Sequence, residues 1–171
     1  MLRFFVPGMP ATAGSKRGHA IWRKGDPASG ETGRVFTGKV VVRDDAEQRG
    51  KPWRASVQSF ALEARAAMAD RAEAAAFLVA QMPLRIKITF VLPRPASASY
   101  RRRPFPVVRP DVDKLSRAVL DALKHVLWND DVQVVTKTVR KRYQESAVPD
   151  RRDVGAWITL EVEPAEQAGI L

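Results

Sequence analysis

The chain contains no cysteine and only two histidines, His19 and His125, among its 171 residues. Without cysteine there is neither a disulfide framework nor a thiolate metal site. Two histidines are too few for a zinc site built on imidazole. Any metal would have to rest on carboxylates, which selects hard cations such as Mg²⁺ or Mn²⁺. Long apolar runs are also missing. No stretch approaches the ~18 residues of a membrane span, and the opening Met1-Leu2-Arg3-Phe4-Phe5-Val6-Pro7 is too short for a signal peptide. These absences lead us to expect a protein with no membrane partner, working in the cytoplasm of a bacterium or, if phage-encoded, of its host.

Positive charge, in contrast, is abundant. Lys and Arg number 29 against 19 Asp and Glu, a net charge of +10. A basic excess of this size is the footprint of a nucleic-acid binder, because it raises the rate of association with a polyanion and makes that association salt-dependent. An anionic membrane surface is the other polyanion such a chain would meet. The length fits one domain, and a 45% hydrophobic content is enough for a core.

Periodicity gives the elements. Residues 2–6 read as a short strand ended by Pro7. From Met9 to Gly33 the density of Gly, Pro, Ser and basic residues predicts a loop, with Lys16 and Arg17 as candidate phosphate contacts. Val35–Asp44 reads as a strand, half of a hairpin turning at Gly38. Trp53, Val57, Phe60, Ala61, Ala64 and Met68 recur at helical spacing, and the helix either continues or restarts at Asp70 before Pro83 stops it. Leu84, Ile86, Ile88, Phe90 and Leu92 alternate with other residues, the mark of a strand with one buried face. A proline-rich loop, 93–110, carries Arg101, Arg102 and Arg103. Leu115, Ala118, Val119, Ala122, Leu123, Val126 and Leu127 predict a helix from Lys114 to Trp128. Strands over 132–143 and 156–162 follow, the first bearing Lys137, Arg140, Lys141 and Arg142. The order predicts an α+β fold: one small domain over residues 1–163, with a mixed sheet, two main helices mostly on one face, and a flexible tail over 164–171.

Acidic residues bracket the second helix, Asp111 and Asp113 before it and Asp130 and Asp131 after it. Two readings of them stay open. Asp113 is a good N-cap, Asp111 favours the positive end of the helix dipole, and Asp130 and Asp131 suit a turn. If instead three of them converge, a hard cation would relieve their mutual repulsion and activate water against a phosphodiester. A helix of that length spans ~22 Å. Convergence therefore requires the chain to fold back after Trp128, or a second subunit to supply the missing carboxylate.

Three segments taken together carry a resemblance. Arg109-Pro110-Asp111-Val112-Asp113-Lys114-Leu115, then Leu120-Asp121-Ala122-Leu123, then Trp128-Asn129-Asp130-Asp131-Val132-Gln133-Val134-Val135 resemble the RusA family of Holliday-junction resolvases in the same register. Val6-Pro7-Gly8-Met9-Pro10 and the Ser15-Lys16-Arg17 loop are more loosely similar to the opening of that family. The resemblance implies a Mg²⁺-dependent endodeoxyribonuclease that cuts four-way or other branched DNA in recombination and repair, acts as a homodimer, and holds its metal on Asp111, Asp113 and Asp131. The family's Asn after the second Asp is Lys114 here, and its usual catalytic Lys is Arg117, so either can be the basic catalytic group. Lys16, Arg17, Arg101, Arg102, Arg103, Lys137, Arg140 and Arg142 would contact phosphates. A broader nuclease acting on forks, flaps or duplex would use the same site. A non-catalytic DNA-binding protein would use the aspartates only as caps.

Overall fold

The structure, a computed structural model, describes the chain except residues 15, 45–46, 80, 97–100, 146 and 165–171. Its centre is a four-stranded sheet in the order β1-β6-β4-β5: β1 is Leu2–Pro7, β4 Leu84–Leu92, β5 Val134–Tyr143 and β6 Gly155–Val162. β6 runs antiparallel to both β1 and β4, while β4 and β5 run parallel, so the sheet is mixed. A parallel pair needs a crossover. Here that crossover is the 93–110 loop and helix α3, Val112–Leu123.

The alternation read in Leu84–Leu92 has a direct structural meaning. Leu84, Ile86, Ile88, Phe90 and Leu92 are buried on one face with Leu2, Phe4 and Val6 of β1 and Ala156, Ile158 and Leu160 of β6. Helices cover that face. Helix α1, Glu47–Ala66, packs on β1 and on α3, burying Trp53, Val57 and Ala61 four residues apart. Asp70 does restart a helix: its carboxylate accepts from the Ala72 and Glu73 amides and caps α2, Arg71–Ala76. Each large apolar side chain fully withdrawn from water contributes ~1.5–3 kcal/mol. The fold is thus α+β with three helices, the expected architecture. Among the described residues, no helix is long and apolar enough to cross a membrane.

Three local expectations are corrected. The Met9–Gly33 loop contains a strand: β2, Lys16–Lys24, pairs with β3, Arg34–Asp44, in a separate two-stranded ribbon. Its residues do not alternate between apolar and polar because the ribbon has no core to face; cross-strand backbone bonds make it a strand. The hairpin turns between Gly25 and Gly33, where the Gly25 amide bonds the Gly33 carbonyl at 2.8 Å and Arg23 grips Glu31 through two bonds of 2.6 and 2.7 Å. Gly38 is not the turn. It takes a left-handed φ of 76° beside the register shift opposite Ala20 and Trp22. Finally, α3 stops at Leu123, five residues before Trp128. His125 takes φ 63° and its amide bonds the Trp128 carbonyl, which turns the chain under the sheet and buries Leu127 and Trp128. Of the tail expected over 164–171, residues 165–171 lie outside the described residues.

Candidate active site

Asp111 is the N-cap of α3. Its Oδ1 accepts from the amides of Asp113 and Lys114 at 2.8 and 3.1 Å, so the cap is one pair of residues earlier than expected. Those bonds, first from Lys114 and then from Asp113, together with the charges of Lys114 and Lys141, hold the Asp111 carboxyl below the usual carboxylate range. Asp113 follows in the first turn, and both side chains are exposed. Two anionic groups thus sit at the positive end of one helix, at the C-terminal edge of the parallel β4–β5 pair, where ligand sites of βαβ units gather.

This edge opens into a cleft of about 860 Å³ lined by Thr12, residues 107–112, Lys114 and Lys141. The N-terminal segment is tied to it by the Ala13 amide on the Lys114 carbonyl at 2.9 Å. Lys141 reaches in from β5, donating to the carbonyls of Pro110 and Val108 at 2.8 and 3.0 Å. Sequence reasoning passed over Lys141 while selecting its neighbours Arg140 and Arg142. The signal was available: Val139 and Tyr143 are apolar, so the odd positions of β5 face the helices.

That same parity separates the cations expected to form one basic face. Lys137 lies on the helix side, its Nζ 3.5 Å from Ser116 Oγ, whereas Arg140 and Arg142 share the opposite face with Lys87 and Thr89. A strand cannot present positions 137, 140 and 142 together. Arg117 is exposed one turn after Asp113, without an ion-pair partner among the described residues. Arg101, Arg102 and Arg103 are exposed in the loop before α3. Lys16 and Arg17 enter β2, and their side chains lie outside the described residues.

Asp131 stands elsewhere. Helix α3 has twelve residues, ~18 Å, and runs away from the cleft before β5 returns to it. Asp131 precedes β5, at the far end of this unit, where its Oδ1 accepts from the buried Trp128 indole at 2.8 Å. Within one chain it does not join Asp111 and Asp113. Among the described residues, no three His, Cys, Asp or Glu side chains form a metal-holding cluster.

The neighbours of Asp131 are structural. Asp130 caps the short 3-10 turn Asp131–Gln133. Buried Gln133 accepts from the Asn129 and Asp130 amides and donates to the Val79 carbonyl at 3.0 Å, and Asn129 Nδ2 donates to the Leu78 carbonyl at 2.6 Å. This network ties the exit of α2 to the start of β5.

A crossover that brings two aspartates to the edge of a parallel strand pair, in a basic chain, is compatible with a site for a phosphodiester. Comparison makes the class specific. The sequence model of the family described as endodeoxyribonuclease RusA matches residues 40–149, more than half of the chain, and the chain belongs to that family of DNA-cutting hydrolases. It is also similar to the uncharacterized protein YqaN of Bacillus subtilis (strain 168), with 25% identity over 151 residues, 84% of this chain and 89% of that protein.

Proposed function

We propose that the chain is a divalent-metal-dependent endonuclease that resolves Holliday junctions by paired phosphodiester hydrolysis, in the cytoplasm and as a homodimer of single-domain subunits. The observation that carries the reading is the placement of Asp111 at the mouth of α3 in one open cleft with Lys114 and Lys141, with Asp113 beside it in the first turn of the helix.

The donor chemistry fits a hard cation. Only oxygen ligands are offered, Asp111 is held ionised, and Mg²⁺ binds through one or two carboxylates while keeping waters. Such an ion, or Mn²⁺, supplies Lewis-acid polarisation of a phosphate oxygen. The chain's own groups do the rest. Lys114 and Arg117 neutralise charge developing on the phosphate, Lys114 as a compact point charge and Arg117 as a planar fork. Exposed Arg101, Arg102 and Arg103, with Lys16 and Arg17, hold DNA arms through their phosphates.

The third carboxylate, Asp131, is assigned to the site of a second copy of this chain. That arrangement is supported by its separation from Asp111 within one subunit and by the two-fold symmetry that paired cuts require. Mixed dimers test it. When one subunit carries Asp113→Asn and the other Asp131→Asn, a shared site leaves one site whole and nicking survives. A site made within one subunit leaves none, and nicking stops.

The primary experiment incubates folded protein with a synthetic four-way junction, a fork and a plain duplex, in Mg²⁺ and in EDTA. Cleavage of the junction in Mg²⁺, abolished by EDTA and by Asp113→Asn with binding retained, is the expected result. Equal cutting of all three substrates would replace the resolvase with a broader nuclease. An uncut junction in every condition, with binding unaltered by Asp113→Asn, would leave a DNA-binding protein whose aspartates are caps.

A further inference from the structure

The face of the sheet turned away from α1 and α3 carries its own pattern. Strand register places Thr138, Lys87, Thr159 and Arg3 in one row across β5, β4, β6 and β1, and Arg140, Thr89, Trp157 and Phe5 in the next. Arg3, Lys87 and Arg140 are exposed. Together with Arg142, Arg151 and Asp150 they surround a shallow recess of about 430 Å³. Five cations thus meet one carboxylate.

The pairing within this group is uneven. Asp150 is taken by Arg3 at 2.8 Å, and Arg151 pairs with Glu145. Lys87 and Arg140 have no ion-pair partner among the described residues. They sit diagonally on neighbouring parallel strands, Lys87 opposite Thr138 and Arg140 opposite Thr89, close enough for two long side chains to reach successive phosphates of one strand. Arg3 is held in place, its guanidinium 4.6 Å from the Trp157 ring centre, while Trp157 packs on Phe5 with centroids 5.0 Å apart. Arg142, stacked over Phe105 at 5.1 Å, links the recess to the loop that lines the Asp111 cleft.

We propose that this open face is a second DNA contact, a basic platform that takes the phosphodiester backbone of one arm of a branched substrate on the side of the sheet away from the Asp111 cleft. Charge selects the occupant. A second copy would bring the same unpaired cations against Lys87 and Arg140, whereas a DNA backbone neutralises them. β5 is an edge strand with Lys137 and Lys141 on one face and Arg140 and Arg142 on the other, so a branched molecule can follow the charge around that edge. The identity of the ligand as branched DNA rests on the function proposed above; the existence of the platform does not.

The test measures junction binding in EDTA, where nothing is cut, as a function of salt. Counterion release gives a slope close to 0.9 per phosphate neutralised. The double variant Lys87→Gln, Arg140→Gln is expected to weaken binding and reduce the slope by about two, at unchanged thermal stability. Because the chain has no cysteine, Thr159→Cys provides a single thiol in the recess, and junction DNA is expected to slow its alkylation. An unchanged slope with an alkylation rate indifferent to DNA overturns the proposal. So does a variant that alters only sedimentation, which would assign the face to self-association, or only aggregation, which would leave these cations as edge protection. Failure of the Mg²⁺ cleavage assay with these binding results intact would sink the nuclease reading alone.

Discussion

The indole Nε1 of Trp128 donates to Oδ1 of Asp131 at 2.8 Å from a ring with no exposed surface. The residue expected to hold a metal is therefore also the hydrogen-bond acceptor of a buried donor. These two roles separate under substitution. Asp131→Ala leaves the indole N–H unpaired and should lower stability by ~1–3 kcal/mol in urea unfolding. Asp131→Asn keeps an oxygen toward Trp128, so it should unfold near the wild-type midpoint and still fail to cut a junction. Full cleavage by the Asn variant would restrict Asp131 to its structural bond.

Gln133 satisfies groups on both sides of its amide. Gln133→Leu strips partners from the Asn129 and Asp130 amides and from the Val79 carbonyl. Groups left without partners in a buried setting cost ~1–3 kcal/mol each. The expected result is a clear drop in unfolding midpoint with little change in the slope of the transition, read by circular dichroism in urea.

Gly155 lies where β6 meets β1. A Cβ there would stand 2.2 Å from the Val6 carbonyl oxygen and 2.6 Å from the Phe5 ring. Backbone cannot yield as a flexible side chain does, so Gly155→Ala should cost ~1–3 kcal/mol and loosen β1. Hydrogen exchange at Phe4 and Val6 amides would report it.

Arg85 bonds Glu163 through Nε at 2.8 Å and pairs with it again through Nη2. The Arg85 bond is the main cause that holds the Glu163 carboxyl below its ordinary 4.5. A lowered folded-state pKa contributes stability that is fully present above 4.5 and is lost as pH falls through the folded value. Arg85→Met should therefore lower stability above pH ~4.5, where this contribution is present, and leave the acid end, where it is already lost, little changed, so that the acid limb of the curve flattens. A pH series of thermal melts would measure both limbs.

Lys141 anchors the loop at the Asp111 cleft through two carbonyls. Hydrogen bonds to a charged group contribute ~1.5–3 kcal/mol, and 1.36 kcal/mol is tenfold in rate. Lys141→Met is therefore expected to reduce kcat/KM on a junction by about ten- to a hundredfold. Arg142→Met should instead act mainly on binding, since Arg142 faces the other side of the sheet. Equal effects on both constants from the two variants would contradict the split of cations between faces.

The parts legible in the sequence were those where one face meets a core. Leu84–Leu92 and the Leu115–Leu123 stripe announce themselves because burial imposes a period. The β2–β3 ribbon has no such face, so its pairing left no pattern in Gly18, His19 or Arg23. The sequence extends α3 too far because Val126 and Leu127 continue the helical period although the chain has already turned at His125. The sequence places Asp111 and Asp113 at a helix start, although it favours Asp113 as the cap and the structure has Asp111. The distance to Asp131 was beyond reach, because it depends on the direction of α3 against β5, which composition does not encode.

Among the described residues, strand β1 finds its hydrogen-bonded neighbour in β6 alone, about 150 residues further along the chain. A ribosome must deliver residues 155–162 before Leu2, Phe4 and Val6 can be zipped into the sheet. Pairings between such distant segments form slowly. Until then β1 has no partner to complete its backbone hydrogen bonds. The segment from Gly8 to Ala13 waits with it, so the Asp111 cleft, which Thr12 lines and the Ala13 amide ties to Lys114, settles only after β6 has been made.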